Sequence, residues 1–138
     1  MNTKALLSIT LFATSLGSVA SKMEPLAVST GAIAGALLRW KITEAAKKHG
    51  INPWTTMGIN IGGSYILGAC ASRKFQNSHI PLLVGTGFCG SFTTLSTFSV
   101  DVLTLMQKGH TGRAGALILM TNAMSIGAAG LGYNMFKR

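Results

Sequence analysis

GFCGSFTTLSTFSVD, residues 87–101, decides how this chain is read. It sits inside an apolar stretch, residues 80–107, that is long enough to cross the ~30 Å hydrocarbon core of a bilayer as a helix. The middle of that stretch is wrong for a plain lipid-facing helix. Gly90, Ser91, Thr93, Thr94, Ser96, Thr97 and Ser99 stand where leucines would be expected. At membrane depth, backbone leaves helical geometry only where it is buried in protein or lines a watery cavity. The run therefore predicts a helix broken near its centre, whose freed carbonyls, amides and hydroxyls meet an ion or a polar pathway.

Three further apolar segments flank it. The first is expected over residues 26–42, with Gly31 and Gly35 four apart among alanines, a spacing that lets another helix approach closely. Arg39 closes it beside Trp40. Two readings stand here: an arginine snorkelling to the interface next to a belt tryptophan, or a cation at a pore mouth that attracts anions. A polar, basic linker is expected over residues 41–52. The second crossing, residues 54–72, carries Asn60 near its middle, either as an interhelical clamp or as an amide offering two donors to an anion. The fourth, residues 111–135, is rich in glycine and carries Thr121, Asn122 and Ser125. The loops hold His49, His79 and His110, read as solvated side chains.

Composition agrees with a membrane protein. Charged residues make up 11% of the chain, far below the roughly 25% of a soluble domain. The apolar content is small and close-packing, with 17 glycines and 7% aromatics. A net charge of +9 would suggest nucleic acid in a soluble protein, but here the cations fall in short pieces between apolar runs, as topology requires. Nucleic-acid binding is not expected on that ground. Cys70 and Cys89 lie in apolar segments and read as buried small hydrophobes. No nucleophile, base and orienter set is visible, and no phosphate loop, so the chain does not read as an enzyme.

Residues 1–24 form an uncertain N-terminal extension: Lys4, an apolar run, then a Ser-Val-Ala step resembling a signal-peptide cleavage site. A cleaved signal, an extra inserted segment, and an upstream extension with Met23 as the start all remain open. Residues 25–138 form the working domain, an all-α membrane protein of four transmembrane helices. Counting cations with that layout and leaving out Lys4, one side holds Lys22, Arg73, Lys74, Lys137 and Arg138, and the other holds Lys41, Lys47, Lys48, Lys108 and Arg113. The balance gives the positive-inside rule nothing to choose by, so a chain inserting both ways could pair with its own inverted copy.

The motifs GAIAGALLRW (residues 31–40), TTMGINIGGSYILG (residues 55–68) and above all GFCGSFTTLSTFSVD make the chain resemble the Fluc/CrcB fluoride channel family over residues 26–133. The resemblance implies a dual-topology antiparallel homodimer in the cell membrane, exporting fluoride passively down its gradient. It implies a structural sodium ion (Na+) at the dimer centre, held by the carbonyls of Gly90 and Thr93 of both copies. Oxygen ligands suit such a hard cation. The fluoride path would be lined by Asn60, Ser96, Leu95 and Phe98, with Thr56 and Arg39 near it and the hydroxyls of Thr97, Thr121 and Ser125 as further donors. Asp101 falls at an acidic position of the family.

One position departs from that pattern. The family reads TTFSTF, and this chain has Leu95 where the first phenylalanine belongs. A phenyl ring offers an anion its electropositive edge, and leucine has none. The competing reading is a small proton-coupled exporter, which needs a carboxylate deep in the membrane. Glu24 precedes the first crossing and Glu44 falls in the expected linker, which leaves Asp101 as the candidate.

Overall fold

The computed structural model describes residues 23–50, 52–73, 75 and 79–137. Residues 1–22 of the N-terminal extension 1–24, on which its three readings rest, and the charges of Lys22, Lys74 and Arg138 lie outside them, whereas Glu24, placed in that extension and before the first crossing, is the first residue of a helix. Helix α1 runs Glu24–Lys48, well past the expected end at Ile42. The segment taken as a linker is therefore mostly helix, and Glu44 is helical rather than in a loop. Its residues explain why: Thr-Glu-Ala-Ala-Lys-Lys contains strong helix formers, and Glu44 accepts from Lys47 one turn on at 2.7 Å. Lys47 and Lys48 also complement the negative end of the helix dipole. The helix stops at Gly50, whose φ of +67° suits a residue without a Cβ.

Helix α2 is Asn52–Ala71. The third stretch is built in pieces. A short α3, His79–Pro81, leads into π1, Leu82–Cys89, and then α4, Gly90–Phe92. His79 thus opens a helix rather than sitting in a loop. In π1 the hydrogen bonds reach back five residues, as from the Gly90 N–H to the Gly85 carbonyl. Nothing in the sequence reading anticipated that wider winding. Thr93 and Thr94 then interrupt the helix before α5, Leu95–Gln107. The last helix, α6, is Thr111–Phe136. Among the described residues there is no strand.

Two tight helix pairs make up the bundle. Helix α1 lies against π1 and α4, and α2 lies against α6, with α5 bridging α2 and α6. Glycine sets both approaches. A Cβ on Gly31 would run into the Leu83 carbonyl, and one on Gly87 into the Val28 carbonyl. On the other pair, Gly68 meets Ala129 and Gly132 meets Tyr65 in the same way. Near the C-terminus, the Arg73 guanidinium lies 4.8 Å from the centre of the Phe136 ring.

The distribution of residues is the reverse of a soluble core. Glycines and threonines share the interior with a few apolar side chains such as Ile59, Phe92 and Leu117, while Ile33, Leu37, Val100, Leu119, Ile126 and Leu131 are exposed. Apolar exposure on this scale needs a hydrocarbon or protein partner. His79–Gln107 and Thr111–Phe136 are long and apolar enough to cross a membrane, with mean hydropathies of 1.2 and 1.5. Helices α1 and α2, at 25 and 20 residues, have comparable length.

Candidate functional site

The site begins at the interruption of the third stretch. Thr93 (ψ 158°) and Thr94 (φ −153°, ψ 116°) are both extended. Before the gap, the Thr93 N–H and hydroxyl both return to the Cys89 carbonyl, at 3.0 and 2.9 Å. After it, Thr94 caps α5: its Oγ1 accepts the Thr97 N–H at 3.2 Å and donates to Thr97 Oγ1 at 3.1 Å, with Ser96 Oγ also 3.1 Å away. The remaining backbone groups of Thr94 are taken by another helix. Asn60 Oδ1 accepts the Thr94 N–H at 2.8 Å, and Asn60 Nδ2 donates to the Thr94 carbonyl at 3.2 Å. Asn60 is thus a clamp, and its Nδ2 keeps a second N–H for another acceptor.

Two cavities meet at Thr94. The first, about 250 Å³, is lined by Asn60, Thr94, Leu95, Phe98, Thr121 and Ser125 among others. Thr121 Oγ1 and Ser125 Oγ are buried without any hydrogen-bond partner. They stand one turn apart on α6, so both hydroxyls line one face of this cavity. The second cavity, about 240 Å³, is lined by Arg39, Glu44, Lys47, Thr56, Thr94 and Thr97. Arg39 Nε is also buried and unpartnered.

The structure therefore sorts the expected site residues into two groups. Asn60, Leu95, Phe98 and Ser125 line the first cavity, whereas Arg39, Thr56 and Thr97 line the second. Ser96 lines neither and joins the site only through Thr94; its side chain is exposed. Leu95 is 75% exposed, whereas Phe98 is buried. The Thr56 hydroxyl donates to Asp101 Oδ2 at 2.6 Å, and Asp101 itself lines neither of these cavities. Phe88 and Phe92 stack on each other at 5.4 Å and serve packing.

Thr94 is the residue the sequence reading left out of its site. Its signal was legible, since a threonine just before a helical run is an N-cap pattern. Asn122 and Ser64, which also line the first cavity, carried no comparable signal.

Gly90 has main-chain oxygen alone, and the Thr93 hydroxyl is already committed to the Cys89 carbonyl, so each would offer a cation its carbonyl. In a continuous helix their carbonyls would accept from Thr94 and Thr97. Those N–H groups go instead to Asn60 and to the Thr94 hydroxyl, so both oxygens are freed for another donor or a cation. Among the described residues no group of three or more His, Cys, Asp or Glu side chains could hold a metal. Carbonyl oxygens suit a hard cation rather than a soft one.

A helix interrupted at mid-span, stitched by a neighbouring amide, beside cavities lined with hydroxyls and under an apolar exterior, defines an all-helical membrane protein with a polar interior. The chain belongs to the CrcB family: the family described as "CrcB-like protein, Camphor Resistance (CrcB)" matches residues 26–133. Relatives agree. The chain is 43% identical over 103 residues to a protein of Ligilactobacillus salivarius (strain UCC118) named "Fluoride-specific ion channel FluC 1", covering 74% of this chain and 90% of the relative. It is 37% identical over 120 residues to "Fluoride-specific ion channel FluC 2" of Synechococcus sp. (strain CC9902), covering 86% and 84%. It is 36% identical over 107 residues to "Fluoride-specific ion channel FluC 1" of Desulfitobacterium hafniense (strain Y51), covering 75% and 94%. These relatives are named as channels, not as enzymes.

Proposed function

We propose that this protein is a passive, fluoride-selective channel of the cell membrane, built from four membrane-spanning segments per chain and assembled as an antiparallel, dual-topology homodimer. The observation that carries the reading is the first cavity. There the unpartnered hydroxyls of Thr121 and Ser125 share a wall with the free N–H of Asn60 and the ring of Phe98, in a chain whose relatives are named fluoride channels.

Fluoride is small and strongly hydrated, so a path must replace its water with close donors. Asn60, Thr121 and Ser125 supply neutral ones, and the edge of Phe98 adds a weak positive rim. A neutral donor set suits conduction, since a fixed cation in a narrow path would hold the anion rather than release it. The cations sit apart from it, in the second cavity, where Arg39 raises the local anion concentration at the entrance while Lys47 is paired with Glu44. Fluoride then leaves down its gradient, with no coupled ion and no covalent step.

Sodium fits the same reading. The carbonyls of Gly90 and Thr93 would hold it, joined by their counterparts from a second, inverted copy. Gly90 is exposed with open space around it, as a ligand shared across an interface requires. Once bound, the ion supplies a fixed positive charge that ties the interrupted helices together.

The test is anion efflux from liposomes holding purified protein, fluoride against chloride. Fluoride efflux exceeding chloride by orders of magnitude is expected. Equal passage of both removes the selectivity, and no passage by an intact dimer removes the channel.

A further inference from the structure

We infer that the cavity at the loop end of α5 and α6 is a binding site for the phosphate headgroup of an anionic phospholipid. This cavity, about 400 Å³, lies between the α1–α2 turn, the end of α5 and the start of α6, and shares no lining residue with the two cavities at Thr94. That volume is within the usual range for a small-molecule site. Trp54, Leu105 and Leu117 give it an apolar floor, and Arg113 gives it a cation. Arg113 is exposed, with no ion pair or hydrogen bond among the described residues. No carboxylate lines the cavity. Of the two acids at this end of the chain, Glu44 pairs with Lys47 and Asp101 accepts from Thr56.

The occupant follows from charge and depth. Lys47, Lys48, Lys108 and Arg113 gather at this end, so the field favours an anion. Arg113 stands in the first turn of α6, where a membrane-crossing helix meets the headgroup layer, and Trp54 is a side chain suited to that level. A planar guanidinium takes two phosphate oxygens at once. An acyl chain can then lie along the leucines below. A free phosphate would satisfy Arg113 but leave that apolar floor against water. The assignment rests on the membrane reading and not on fluoride conduction.

The experiment uses Trp40→Phe protein, which leaves Trp54 as the remaining tryptophan. It is reconstituted in phosphatidylcholine vesicles containing either brominated phosphatidylglycerol or the same fraction of brominated phosphatidylcholine. Bromine quenches a nearby indole. The brominated anionic lipid is expected to be enriched at Trp54 on the order of fivefold over the neutral one. Arg113→Gln is expected to abolish that preference, Arg113→Lys to keep part of it, and high salt to weaken it in the unmutated site.

Equal quenching by both lipids, or a preference that survives Arg113→Gln, overturns the assignment. Loss of quenching by both lipids would mean a second copy covers the cavity, and relief by inorganic phosphate alone would mean the ligand is a free anion; either outcome overturns it. Fluoride efflux from the same vesicles is scored separately, so failure of the lipid site and failure of the channel are told apart.

Discussion

Asn60 and Thr94 hold each other in both directions: the carboxamide oxygen takes the backbone N–H at 2.8 Å and its nitrogen gives to the carbonyl at 3.2 Å. One side chain on α2 therefore replaces the helical partners that the interruption removed. Aspartate at this position can accept the N–H but cannot donate to the carbonyl when ionised, and it puts a negative charge beside the first cavity. Asn60→Asp is expected to lower fluoride efflux by at least tenfold and to destabilise the fold by about 1–3 kcal/mol. Efflux and thermal unfolding in detergent measure the two effects. Unchanged efflux would leave Asn60 as a packing clamp only.

Thr121 and Ser125 separate function from stability. A buried hydroxyl without a partner costs folding energy, so Thr121→Val and Ser125→Ala should leave the melting temperature unchanged or higher. The same substitutions remove donors from the path and should lower fluoride efflux. A fall in both quantities would show that these hydroxyls are bonded in the native protein.

At Leu95 the change runs the other way. Its side chain is 75% exposed, so a larger ring fits without repacking this chain. Leu95→Phe should raise the ratio of fluoride to chloride efflux, by adding the electropositive ring edge that leucine lacks. An unchanged ratio would mean that Phe98 alone supplies the aromatic contribution.

Glu44 shares the second cavity with Arg39 and holds Lys47 at 2.7 Å. Glu44→Gln frees Lys47 and removes a negative charge from the entrance. Fluoride efflux should rise at low ionic strength and return to the unmutated value at about 1 M salt, where the screening length falls to about 3 Å. An effect independent of salt would argue for a shape change instead.

Gly31 tests the architecture. A Cβ there would meet the Leu83 carbonyl, backbone that cannot swing aside. Gly31→Leu should separate α1 from π1 and cost several kcal/mol, with loss of the folded species on gel filtration. Gly112→Leu, in open space at the start of α6, is the control and should behave like the unmutated chain.

Much of this is legible in the sequence. The small and hydroxylated run after Gly87 announced an interrupted helix, and the interruption falls at Thr93 and Thr94 within it. The Gly31–Gly35 spacing announced a close helix contact, and both glycines are buried against the third stretch. The extension of α1 to Lys48 was misread because its polar composition suggested a loop, whereas Glu44–Lys47 pairing and alanines carry the helix on.

By itself the sequence determined the hydrophobic segments and the place where helical geometry must fail, because both depend on local composition and residue size. Only the tertiary structure decided what answers that failure. Asn60 lies 34 residues from Thr94, and Thr121 and Ser125 lie on yet another helix. Which donors meet, and which stay unpartnered around a cavity, depends on how close the glycine contacts bring the helices.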